Sequence, residues 1–322
     1  MKIFRPWVFQ GTLRRKNYFE GWYFKHVSAD RKSVYAIIPG ISLSGQGSHS
    51  FIQLLNGITG ESYYYKYHVN SFRASSRVLS LKVADSSFSS EGINLNVGNG
   101  QETVSGGINY HPFNHYPSSP ARPGIMGWYS FVPFMECKHG VVSTGHALEG
   151  SLKINNSIVD FSGGRGYIEK DWGTSFPESW IWLHCNTFKS SDASFTFSVA
   201  KIPWLGSYFI GFISYLRYGN KFYNFSTWSG AKVKSLESNN DILDILIENR
   251  KHTFKIRAVN KMPGKLKAPV KGSMNRVIKE TVDADIEIIL SDKAGNTLFR
   301  DHGTRAGMEL IDSMPGYFQD ND

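Results

Sequence analysis

Alternation dominates this chain. Stretches such as SVYAIIPGI, SYYYKYHV, HALEGSLKI, SFTFSVAKI, YFIGFISYL, HTFKIRAV and DADIEIIL are short, rich in Val, Ile and aromatic residues, and bounded by Gly, Asn, Ser or Asp. Residues that alternate in this way lie on opposite faces of an extended strand, whereas a helix needs its apolar residues three or four apart. Only DILDILIEN also fits a helical period. Many short strands without helices between them predict an all-β protein of sandwich or barrel type. The 31 glycines and the 14% aromatic content suit strands and turns better than a helical bundle.

The strands carry an internal repeat. YFEGWYFKH, ending at His26, lies over FPESWIWLH, ending at His184, and matches Glu20 to Glu178, Trp22 to Trp180, Phe24 to Trp182 and His26 to His184. Phe51 and Ile52 meet Phe209 and Ile210 at the same offset. With one residue inserted, Gly60 meets Gly219 and Tyr64 meets Tyr223, and RGYIE (Arg165 to Glu169) is echoed by RAGME (Arg305 to Glu309). Each copy is long enough for a barrel of about eight strands that could hold a small ligand. The predicted architecture is two tandem lipocalin-like antiparallel β-barrels from an internal duplication, with domains at 1–172 and 173–322.

The formal charge of +9 is concentrated in KMPGKLKAPVKGSMNRVIK (Lys261 to Lys279), which has six basic residues, no acid, and Leu266, Val270 and Met274 interspersed. This segment could rest on an anionic membrane surface or be a solvated basic loop. No finger, RRM-type or helix-turn-helix pattern organises the charge for nucleic acid. Two cysteines, Cys137 and Cys185, exclude a disulfide scaffold and fit a reducing compartment. The first residues lack the apolar stretch of a secretory signal and no run approaches a membrane span, so a cytoplasmic protein is expected, with possible peripheral membrane contact. The sequons at Asn155 and Asn224 then have no role.

GYIEKDWGTSFPESWIW (Gly166 to Trp182) is the stretch with chemistry in it. In a strand Glu169 and Asp171 share one face and Lys170 points away. Two carboxylates on one face, with apolar rings nearby, raise the pKa of one of them and make a proton donor. A positioned acid is worth about 10²- to 10⁴-fold in rate, and ring faces stabilise a developing cation. A structural ion pair with Arg165 is the alternative. On the next strand Trp180, Trp182, His184 and Asn186 share one face and Ile181, Leu183 and Cys185 the other; Trp22, Phe24 and His26 repeat the pattern in the first copy. Aromatics followed by a histidine could line a barrel interior or pack a core. HPFNH, with His111 and His115, is a weak metal pair, and no GxSxG, HExxH, P-loop or GxGxxG-plus-helix motif is present.

YFEGWYFK (Tyr18 to Lys25), MGWYSFVPFMECKHGVVSTGHALEGSL (Met126 to Leu152), GYIEKDWGTSFPESWIWLHCN (Gly166 to Asn186) and RAGMEL (Arg305 to Leu310) together resemble the tocopherol cyclase family, a relative of carotenoid 1,2-hydratase-like, lipocalin-like proteins. The resemblance spans both halves. It implies a tandem lipocalin-like fold, no cofactor, and acid-catalysed closure of a prenylated quinol: protonation of the tail alkene, then capture of the tertiary cation by the phenol oxygen. Plant members resemble EKNWG where this chain has Asp171, so the acid transfers onto Glu169 more directly than onto Asp171. The expected site is therefore Glu169 as acid, Asp171 as its electrostatic partner, Trp22, Trp172, Trp180 and Trp182 as apolar walls, and His184 and Asn186 orienting a hydroxyl of a hydrophobic, prenylated or lipid-like substrate. A non-catalytic carrier of such a ligand, and a hydratase adding water to an isoprenoid double bond, are the competing expectations.

Overall fold

The computed structural model describes residues 1–311 apart from 46, 99, 101, 205 and 240. Almost every alternating stretch is a strand, DILDILIEN included, and the strands form two antiparallel sheets. The chain divides into two compact units, Met1–Phe176 with Lys265–Ile278, and Pro177–Gly264 with the residues from Lys279 onward. The sequence reading cuts at 172/173; the observed cut is a few residues later, and the first unit also takes back part of the basic segment.

The first sheet is built from β1 (Tyr18–Val27), β2 (Val34–Leu43), β3 (His49–Asn56), β4 (Ser62–His68), β5 (Phe72–Ala74), β6 (Ser80–Val83), β7 (Ser86–Ser89), β8 (Gly92–Gly98), β9 (Thr103–Tyr110), β10 (Cys137–Ile154), β11 (Ser157–Asp160) and β12 (Arg165–Gly173). Its order is β4-β3-β2-β1-β12-β10-β9-β8-β7-β6-β5, so the first strand pairs with the last and the rest meander outward. The second sheet repeats this plan with β13 (Trp180–Cys185), β14 (Ser194–Trp204), β15 (Ser207–Tyr218), β16 (Lys221–Asn224), β17 (Lys232–Asn239), β18 (Ile242–Glu248), β19 (His252–Val259), β20 (Gly264–Val270), β21 (Ser273–Asp292) and β22 (Thr297–Ile311). Its order is β16-β15-β14-β13-β22-β21-β19-β18-β17, again with first against last. The shared order is the structural form of the duplication.

Strand pairing corrects the alignment of the copies by one residue. Glu169 on β12 lies opposite Tyr23, and Glu309 on β22 lies opposite Trp182. If Glu169 matches Glu309, as the RGYIE and RAGME echo requires, then Trp182 corresponds to Tyr23 and His184 to Lys25, not to Phe24 and His26. A slip of one residue exchanges the faces of a strand, and the cores show it. Trp22 and Phe24 are in the first unit's core, whereas the second unit's core takes Ile181, Leu183 and Cys185. Trp180, Trp182 and His184 therefore do not line the interior of their unit. They are buried on the opposite face of β13.

The basic segment is a β-hairpin, not a loop. Ser62 Oγ donates to the Lys265 carbonyl at 2.5 Å, and Gln53 bonds both the carbonyl (2.9 Å) and the N–H (2.7 Å) of Lys267. Leu266, Ala268 and Met274 are buried while Lys265, Lys267 and Lys271 are exposed. No helix among the described residues is long and apolar enough to cross a membrane.

Inside the first unit, His26 Nε2 and the Tyr110 hydroxyl are 2.7 Å apart, Ser143 Oγ and His146 Nδ1 are 2.8 Å apart, and the Tyr110 ring packs against both imidazoles. Burial pulls His26 down to about 3 and His146 well below the ordinary histidine range. Both are neutral in the fold at pH values where an unfolded chain has begun to protonate them. Their stabilising contribution is thus complete above about pH 6.5 and is lost as pH falls below that, toward about 3 for His26, by up to ~1.4 kcal/mol per pH unit for each ring. Urea midpoints measured between neutrality and about pH 5 are expected to fall steeply, and His146→Asn to flatten the slope by about half.

Candidate active site

β12 separates its side chains as alternation demands. Ile168, Lys170 and Trp172 face the first unit's core; Tyr167, Glu169 and Asp171 face the other way. The neighbouring strands complete the second face in register: on β1, Tyr23 stands opposite Glu169 and Lys25 opposite Tyr167; on β10, Val141 stands opposite Glu169 and His139 opposite Asp171. Tyr23, Lys25, Tyr167 and Glu169 are buried, and Asp171 is partly open.

The two carboxylates do not form the bare pair expected from the sequence. The His139 imidazole lies between them, with Nδ1 at 2.9 Å from Asp171 Oδ1 and Nε2 at 3.5 Å from Glu169 Oε2. The Tyr167 hydroxyl donates to Glu169 Oε2 at 2.6 Å. The result is a cluster of four groups with exchangeable protons, Asp171, His139, Glu169 and Tyr167, in which the His139–Glu169 contact is a close charge contact and Glu169 is the buried carboxyl. Cys137 Sγ is 3.9 Å from Asp171, and burial together with the Asp171 charge pushes its thiol well up, so it is a neutral neighbour and no nucleophile.

Gly173 closes EKDWG for a steric reason. Its φ is +156°, and a Cβ there would sit 2.0 Å from the Glu136 carbonyl oxygen, which Thr174 N–H approaches to 2.7 Å. This tight turn of chain fixes the segment that leads into His139 against the end of β12. Gly173→Ala is expected to cost roughly 1–3 kcal/mol, read as a lower denaturation midpoint.

Lys170 does structural work on the core side. Its ammonium, fully buried, lies 2.5 Å from Glu20 Oε1, donates to the carbonyls of Pro6 (2.9 Å) and Val8 (2.5 Å), and sits over the rings of Trp22 (4.5 Å) and Trp172 (4.8 Å). Burial pulls it down to about 8 against the opposing pull of Glu20, so it is charged at neutral pH. Glu20 also accepts from the N–H groups of Gln10 (2.8 Å) and Gly11 (3.0 Å) and from the Tyr18 hydroxyl. Trp22 and Trp172 thus hold a lysine and belong to the core, away from the face of Glu169. Their expected role as walls of the acid site is corrected by the alternation of β12 itself.

In the second unit Trp180, Trp182 and His184 do come together. The Trp182 and His184 rings stack at 6.2 Å, Trp180 Nε1–H donates to Glu309 Oε2, and Trp182 lies against Gly307, where a Cβ would come within 2.5 Å of the indole. Glu309 stands opposite Glu280 on β21, which is also buried. Asn186 is buried just beyond the end of β13. His111 is 3.9 Å from Glu149, and His115 Nδ1 is bonded to the Val142 carbonyl; the two do not form a metal pair. His139, Glu169 and Asp171, by contrast, offer ligand atoms within 4.8 Å of one another and could hold a cation.

Sequence reasoning missed His139, Tyr167, Tyr23, Lys25 and Glu309. His139 lies inside MECKHG, quoted for the resemblance, but only the β10–β12 register reveals its partner.

Residues 95–311, which hold β10, β12 and β13 but not β1, match a described family, "Tocopherol cyclase-like". The chain belongs to the tocopherol cyclase-like family. It is similar to "Probable tocopherol cyclase, chloroplastic" of Oryza sativa subsp. japonica, 27% identical over 53% of this chain and 38% of the relative, and to "Tocopherol cyclase, chloroplastic" of Zea mays, 24% identical over 52% and 36%. The matches therefore span little more than a third of these tocopherol cyclases. Among solved structures, kievitone hydratase from Nectria haematococca shares the fold with a TM-score of 0.51 at 12% identity, over 90% of this chain and 88% of that one. His139, Glu169 and Asp171 all fall inside the residues matched by the tocopherol cyclase-like family.

Proposed function

We propose that this protein is an acid-catalysed enzyme that cyclises a prenylated quinol or a related isoprenoid lipid. The observation that carries the reading is the buried Glu169 carboxyl, joined through His139 to a more open Asp171. Glu169 gives its proton to the less substituted carbon of the tail alkene, leaving a tertiary cation. The phenol oxygen of the same substrate attacks that cation, and its proton passes back to the Asp171, His139, Glu169 cluster. One C–H and one C–O bond form, one O–H bond and the alkene π bond are lost, and the product has the mass of the substrate. Tyr23 stands opposite Glu169 in the strand pairing and Tyr167 donates its hydroxyl to it; a cation gains about 1–2 kcal/mol from a desolvated aromatic face, the role we assign to these two rings. On the second unit, taken by itself, Trp180, Trp182, His184 and Glu309 offer the same residue classes, and we assign Trp180, Trp182 and His184 to the binding of a hydrophobic ligand there. Asn186 keeps its proposed role in orienting a hydroxyl. The reading places the protein in the cytoplasm with a lipid-like substrate.

Incubation with a panel of prenylated quinols, followed by chromatography and mass spectrometry, tests it. A product of equal mass and shifted retention supports cyclisation, a gain of one water supports a hydratase, and a ligand recovered unaltered supports a carrier. Because three ligand atoms converge at the site, the assay is repeated with a chelator. Turnover is expected to be unchanged, and its loss on chelation with recovery on adding a divalent cation would assign the cluster to a metal instead.

A further inference from the structure

Among the described residues, the exposed large aromatic side chains of the first unit fall together in the segment that leads into β10. Trp128 and Phe131, on the 3-10 turn Gly127–Phe131, are each 48% exposed, and Phe134 is 88% exposed. Phe134 has φ +62°, a backbone conformation unfavourable for a side chain of that size, so the chain holds this ring outward against local preference. Large exposed apolar side chains grouped in this way mark interaction surfaces.

Their surroundings are cationic. The Phe131 ring meets Phe4 edge-on at 6.4 Å, which brings in an amino-terminal stretch with Lys2, Arg5, Arg14, Arg15 and Lys16 and no acid through residue 16. Lys138 donates to the Ser130 carbonyl at 2.8 Å, and Arg15 lies near enough to Lys138 to help lower its pKa. Leu13, beside these arginines, is 45% exposed. Trp and Phe side chains amid Lys and Arg match the head-group region of an anionic bilayer, where rings take the acyl boundary and cations the phosphates. The basic hairpin is a poorer match, because its exposed apolar residues, Met262, Val270 and Val277, include no aromatic ring for the interface region.

We propose that Trp128, Phe131 and Phe134, framed by Arg14, Arg15, Lys16 and Lys138, form a docking surface for an anionic membrane. The segment is anchored at the acid site: His139 N–H approaches Met126 Sδ at 3.1 Å, and Glu136 supplies the carbonyl that fixes Gly173. Docking there brings the strand carrying His139 to the lipid surface. The inference needs no turnover, so its failure and that of the cyclase reading are separable.

The test is cosedimentation of the full chain with vesicles of equal parts phosphatidylcholine and phosphatidylglycerol, against vesicles of phosphatidylcholine alone, with brominated acyl chains to read tryptophan quenching. Binding is expected to the anionic vesicles, to weaken as salt rises, and to quench Trp fluorescence. Phe134→Ser, at a site where little packing is lost, should weaken binding several-fold, and W128S/F131S/F134S about ten- to a hundredfold, with circular dichroism unchanged. K265Q/K267Q/K271Q in the hairpin should leave most of the binding intact. Equal binding by Phe134→Ser and wild type, loss of binding only in the hairpin variant, or no preference for anionic vesicles would each overturn the proposal.

Discussion

Glu169→Gln is expected to lower turnover of a cyclisable quinol by about 10²- to 10⁴-fold, the share a positioned general acid supplies, while leaving the circular dichroism spectrum and melting temperature close to wild type. Glutamine keeps the shape and the acceptor oxygen that Tyr167 uses, so the fold loses little; what disappears is the transferable proton. His139→Asn should fall in the same range, because the imidazole is the link between the buried carboxyl and Asp171. Asp171→Asn should cost less, because Asp171 acts on the substrate only through the ring and is partly open to solvent screening. Unchanged turnover in Glu169→Gln removes this carboxyl from the chemistry, and a loss in His139→Asn alone would make the imidazole the acid.

The second large effect concerns stability. Lys170→Met leaves Glu20 as a buried carboxylate with no countercharge, and removing one partner of such a pair costs about 3–5 kcal/mol. At about 2–4 °C per kcal/mol for a unit of this size, the melting temperature should drop by roughly 10 °C. The double variant Glu20→Gln with Lys170→Met should recover much of the loss, since no uncompensated charge is left and the glutamine carbonyl still accepts from Gln10 and Gly11. A double variant no better than Lys170→Met would show that the pair itself, and not the stranded charge, stabilises the unit.

What the sequence disclosed follows from period two. Alternation within EKDWG put Glu169 and Asp171 on one face and sent Lys170 to the other, as observed. The same rule placed Trp172 with Lys170, yet the presence of tryptophan beside carboxylates suggested an aromatic wall that strand geometry forbids. His139 was out of reach, because its partner is set by a long-range register that includes bulges between Val141 and Ser143 and between Ser143 and His146. The copies could be seen but not placed: one residue of slip reversed the assignment of Trp180 and Trp182. The basic segment looked like a loop because its lysines and prolines masked an alternation that buries Leu266 and Ala268, and Gln53 and Ser62 hold that strand through its backbone.

Each unit joins its first strand to its last, and the acid cluster sits on that junction. Tyr23 and Glu169 become neighbours only after everything between them has been made. A chain still leaving the ribosome can lay down β1 to β4 and β5 to β9 as two runs of successive hairpins, but the Tyr23, Glu169 and His139 cluster does not exist until β12 returns to β1, a late, long-range closure of the kind that folds slowly. Activity should therefore emerge abruptly with chain length, and cutting the chain before β12 should remove it altogether.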